Sequence, residues 1–121
     1  SRTNTPLQAL TLLNDQAYVE MALGFAVSIL EKTEGQSDKV RVIHAVRRAL
    51  SRDPSAHEIE VLLSLLNEQS ERLKSDSLIA KSLLSQAPQI EVSEKLDSDE
   101  VGAWFFVANA LLNLDETITK G

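Results

Sequence analysis

Gln16-Ala17-Tyr18-Val19-Glu20-Met21-Ala22-Leu23-Gly24-Phe25-Ala26-Val27-Ser28-Ile29-Leu30-Glu31-Lys32 carries apolar side chains at eleven of its positions, from Ala17 to Leu30. On a helical wheel they surround the axis instead of forming one stripe. A helix that is apolar all round is buried on most of its sides. The stretch therefore predicts a helix over 16–32 at the centre of an all-α fold, with the other segments packed around it.

Toward the N-terminus, Thr5-Pro6-Leu7-Gln8 has the form of a capping box. The Thr5 hydroxyl can accept from the N–H of Gln8, and the Gln8 side chain can reach back to the N–H of Thr5. Pro6 falls at the first helical position, where its missing N–H costs nothing. This predicts a short helix over 6–13, broken by Asn14-Asp15, both good caps and turn formers. The competing reading is one continuous helix through that pair.

Toward the C-terminus, Glu34-Gly35-Gln36-Ser37 reads as a turn, with Ser37 capping a helix over 38–50. Val40, Ile43, Val46 and Leu50 share one face of it. Arg41, Arg48 and Arg52 share the opposite face, with His44 near its edge. Ser55-Ala56-His57-Glu58 is a second capping box. It opens a helix over 56–73 with Ile59, Leu62, Leu63, Leu66 and Leu73 inward. The few residues between these two helices make them a helical hairpin. Leu78, Ile79, Leu83 and Leu84 suggest a short helix, and residues 86–97, with Pro88 and scattered charges, read as a loop. Asp97-Ser98-Asp99-Glu100 caps a last helix over 99–113. Its inward face is Val101, Trp104, Phe105, Ala108, Leu111 and Leu112. The expectation is one helical domain over 1–121, a compact bundle of five to six helices with the hairpin in its middle.

Composition agrees. The chain has 121 residues, 43% hydrophobic and 25% charged, with only 4 Gly and 3 Pro. This suits a globular chain built from long regular elements. The net charge of −6 argues against nucleic-acid binding, which normally needs a basic footprint. The absence of Cys removes thiol catalysis, disulfides and cysteine-ligated metal or haem from within this chain. No apolar run approaches the roughly 18–20 residues that span a bilayer. A chain opening on Ser1-Arg2 is expected to be a piece of a longer protein.

Residues of a type that can carry chemistry are few. His44 and His57 lie in no metal-ligand spacing, and no cofactor motif is present. Most carboxylates fall at helix starts, where they complement the helix dipole. Asn109 and Asn113 lie one turn apart beside the apolar face of the last helix. With Asn14 and Asp15 they form a candidate polar cluster, read first as structural hydrogen bonds tying the chain ends together and second as a ligand site. Arg41, Arg48 and Arg52 read first as a solvated face and second as a docking surface for an acidic partner or a neighbouring domain.

Arg2-Thr3-Asn4-Thr5-Pro6-Leu7-Gln8-Ala9-Leu10 and Leu12-Leu13-Asn14-Asp15 resemble the signature of a large planctomycete-type family, domain of unknown function 1553. Trp104 and Val107-Ala108-Asn109-Ala110-Leu111-Leu112-Asn113-Leu114-Asp115-Glu116 resemble the end of that family, and Arg48-Ala49-Leu50-Ser51-Arg52-Asp53-Pro54-Ser55 its central helix–turn–helix. Gln16 departs from the Pro that members often place after Asn-Asp. The resemblance implies the C-terminal portion of a large multidomain protein, often fused to cytochrome-c-like modules and commonly exported. It implies no catalytic residue. Two functional readings follow. One is a non-catalytic helical module that packs against the rest of its parent or a protein partner. The other is a substrate-contacting part of an exported enzyme, polysaccharide-related or redox, with Asn4, Asn14, Asp15, Trp104, Asn109 and Asn113 as contacts.

Overall fold

Two serines decide where the middle of the chain turns. Ser37 accepts from the N–H of Val40 through its side chain, which starts one helix. Ser55 accepts from the N–H of Glu58 while the Glu58 carboxylate accepts from the N–H of Ser55, a complete capping box that starts the next. These caps satisfy N–H groups that a helix start otherwise leaves orphaned. A computed structural model describes the backbone over residues 16–120 and the side chains over 16–113. The expected helix over 6–13, its Thr5 capping box and the Asn14-Asp15 break lie outside the described residues.

Among the described residues there are five helices and no strand: α1 Gln16–Lys32, α2 Asp38–Leu50, α3 Ala56–Ser75, α4 Leu78–Gln86 and α5 Ser98–Lys120. The class is all-α, a bundle packed through many helix pairs. The connection from α1 to α2 turns at Gly35, whose φ of 77° lies in the left-handed region that glycine adopts without steric cost. At the end of α2 the same region is occupied by Ser51, with φ 57° and ψ 33°, its N–H bonded to the carbonyl of Arg47.

The hub is α5 rather than α1. Helix α5 packs against each of the other four described helices. Val101, Gly102, Ala103, Trp104 and Phe105 are all buried, and five consecutive buried residues go more than once round a helix. The apolar-all-round criterion thus applied to both helices, and the last one satisfies it more fully; Met21 of α1 is exposed. Gly102 is the point of closest approach: a Cβ there would meet both δ-methyls of Leu73 at 3.2 Å and the Cβ of Ala80 at 3.6 Å. Its missing side chain lets α3 and α4 sit against the start of α5.

A second difference concerns α2. Its buried residues are Val42, Ala45 and Val46, while Val40 is 43% exposed. The inward face is rotated from the expected one because two small positions, Ala45 and half-buried Ala49, permit close packing that a search for large apolar residues overlooks.

Between α4 and α5, residues 87–97 hold no helix but are not stripped of core contacts. Ala87 is buried, and Ile90, Val92 and Leu96 pack against the core. No helix among the described residues is long and apolar enough to cross a membrane.

Candidate functional site

The singled-out polar residues occupy three places. The first is the α1–α5 seam. The Tyr18 hydroxyl near the start of α1 donates to Oδ1 of Asn113 at 3.3 Å. Asn109, one turn earlier on α5, is 8% exposed, and its Oδ1 has no hydrogen-bond partner among the described residues. A buried oxygen left so costs about 1–3 kcal/mol. Asn14 and Asp15, the other half of the expected cluster, lie outside the described residues. The seam runs antiparallel, since the start of α1 meets α5 at Asn113 while residues after its C-terminal end approach Glu100.

The second place is the arginine set, and each member is engaged with a different neighbour. Arg41 has a side chain only 12% exposed. Its Nε donates to Oγ1 of buried Thr33 at 3.2 Å and its Nη1 to Oε2 of Glu100 at 3.2 Å. It therefore links the end of α1 to the first turn of α5. Arg48 donates to Oγ of Ser28 at 2.8 Å and lies over the Phe25 ring, 5.8 Å from its centroid, joining α2 to α1. Arg52 grips Glu58 with two parallel bonds of 2.8 and 2.7 Å, joining the turn to α3. That fork, helped by the N–H of Ser55, pulls the Glu58 carboxyl down from 4.5 to about 2. Arg48 and Arg52 keep exposed edges; Arg41 does not.

The third place is three surface clefts. One, of about 360 Å³, lies beside Arg41 and Glu100 and is also lined by Glu31, Glu34 and Lys95. A second, of about 430 Å³, runs along the outer face of α3, where Glu60 and Glu68 flank Val61 and Leu65. The third holds His44. Burial, and then the positive charges of Arg48, Lys32 and Arg47, lower the His44 pKa from 6.5. Its Nε2 is shielded and has no hydrogen-bond partner among the described residues. His57 is exposed, as its place in the first turn of α3 suggested. No group of three His, Cys, Asp or Glu side chains among the described residues is placed to hold a metal ion.

Trp104 is 1% exposed, so its indole is a core element and not a platform on which a sugar could stack. Sequence reasoning missed Tyr18, Ser28, Thr33 and Glu100 as partners. Glu100 carried a signal, an acidic residue in a first helical turn, but that signal points to the helix dipole and not to an arginine 59 residues earlier.

The family model described as "PSD1: Protein of unknown function (DUF1553)" matches residues 1–66, more than half of the chain. The chain belongs to the DUF1553 family. The matched span contains α1, α2, both serine caps, the Arg52–Glu58 fork and all three arginines of the set. Neither a curated protein nor a solved structure matches this DUF1553 chain.

Proposed function

We propose that this DUF1553 chain is a non-catalytic helical module of a longer protein, docking against other segments of that protein or against a protein partner. The observation that carries the reading is the use to which its polar side chains are put. Arg41, Arg48, Arg52 and Asn113, the residues best placed by type to meet a ligand, contact Glu100, Ser28, Glu58 and Tyr18 and so hold helix to helix. On this reading Asn14 and Asp15 join Asn109 and Asn113 in the same internal cluster.

The docking surface is the outer face of α3. Val61 is 50% exposed there, with half-buried Leu65 one turn on and Glu60 and Glu68 at the rim. An apolar strip with an acidic border suits a partner segment that is apolar with basic flanks. Hydrogen exchange on the full-length parent tests this. The α3 amides of the wild-type parent should exchange more slowly than those of the isolated 121-residue chain. Val61→Asp in the parent should restore the faster exchange. Equal α3 exchange in parent and isolated chain would remove the docking role.

A further inference from the structure

We propose that the cleft between the end of α1 and the outward flank of α2 binds a small carboxylate bearing a short apolar chain. Val40, Ile43, His44 and Arg47 follow i, i+3, i+4, i+7 spacing, so they form one stripe on α2. That stripe lies away from the buried Val42, Ala45 and Val46. Lys32 at the end of α1 and Gln36 in the turn close the other side, and the cleft encloses about 360 Å³. This is near the lower end of small-molecule sites, which run from about 300 to 1,000 Å³.

Charge singles this cleft out. In a chain of net charge −6, no carboxylate among the described residues lines it. Two further clefts among the described residues are lined by Glu31, Glu34 and Glu100 and by Glu60 and Glu68. Its titratable liners are Lys32, His44 and Arg47. Arg47 ion-pairs with Asp53 through Nε, which leaves the rest of its guanidinium for an anion. His44 lines the cleft with the rest of its ring while its Nε2 stays shielded, so a carboxylate held by Lys32 and Arg47 is sensed at the imidazole without a direct bond to it. Exposed Val40 and half-buried Ile43 supply an apolar wall for a chain of a few methylenes. A bare inorganic anion would leave that wall unused.

The test follows the ring signals of ¹³C-labelled histidine in the 121-residue chain at neutral pH during addition of sodium hexanoate. Sodium phosphate and sodium chloride at matched ionic strength are the comparisons. The expected result is a saturating shift of the His44 signal with hexanoate alone, while His57 stays still. Lys32→Gln should weaken the hexanoate response about fivefold, as loss of one charge-assisted contact does. Val40→Ser should weaken it as well, leaving the helix content unchanged. A non-saturating drift like that with chloride, equal movement of His57, or an equal response to phosphate would each overturn the proposal.

Discussion

The Tyr18 hydroxyl donates to Oδ1 of Asn113 at 3.3 Å, across 95 residues of chain, and so fixes the start of α1 to α5. At the other end of the same seam Arg41 reaches from α2 to Thr33 and Glu100. The two antiparallel helices are therefore held at both ends by polar contacts over an apolar interior. Alignment along a Leu- and Ala-rich surface is weakly specified by burial alone, because one apolar turn resembles the next. Directional contacts at the ends select one register.

Arg41 should be the more costly of these ties to remove. Its guanidinium is largely buried and bonds two partners, so Arg41→Met keeps the packed stem but removes the charge-assisted contacts to Thr33 and Glu100. The expected loss is about 1–3 kcal/mol in urea denaturation. A change within a few tenths would mean that the contacts form without contributing.

The Arg52–Glu58 fork should give acid stability a recognisable component. The Glu58 carboxyl is lowered from 4.5 to about 2, chiefly by the hydrogen bonds from Arg52 and then by the N–H of Ser55. The folded state thus binds this proton more weakly than the unfolded state. Stability from the fork is fully present above about pH 4.5 and is lost as pH falls toward 2. Glu58→Gln should flatten the fall in melting temperature over that window relative to the wild type. Parallel curves for the two proteins would contradict the assignment.

Gly102 should tolerate little beyond a methyl group. Leu73, fully buried, lies 3.2 Å from where a Cβ would stand. For Gly102→Ala the gain in helix propensity, about 1 kcal/mol, and the crowding nearly offset each other. Gly102→Val has no such balance and should destabilise by about 2–3 kcal/mol, read as a lower denaturation midpoint. Equal stability of the Val variant would mean that α3 and α5 are not tightly apposed there.

Ser51 holds a left-handed backbone that costs a residue with a side chain about 1–2 kcal/mol relative to glycine. Ser51→Gly should therefore stabilise the protein, by about 0.5–1 kcal/mol after the added freedom of the unfolded chain is counted. Thermal melts of the two proteins check the sign.

Local signals were readable where a cap or a turn residue marked them. The expected ranges 16–32 and 38–50 coincide with α1 and α2, and the two serine caps form as their spacing suggested. The last helix runs on to Lys120 instead of stopping near Asn113, since Asp115-Glu116 lowers hydrophobicity without breaking a helix. Facing was harder to read. Val40 turned outward because Ala45 and Ala49 bring α2 close along another line. The arginines' partners were illegible for a different reason: Ser28, Glu58 and Glu100 sit on three elements, and no periodicity in one helix encodes which neighbour another helix will offer.

A double-mutant cycle on Tyr18→Phe and Asn113→Ala addresses the polar tie between first and last helices most directly. Denaturation of the wild type, both single variants and the double variant should yield a coupling of about 0.5–1.5 kcal/mol favouring the native pair. Additive losses, with no coupling beyond error, would contradict the claim that these side chains act together to hold α1 on α5.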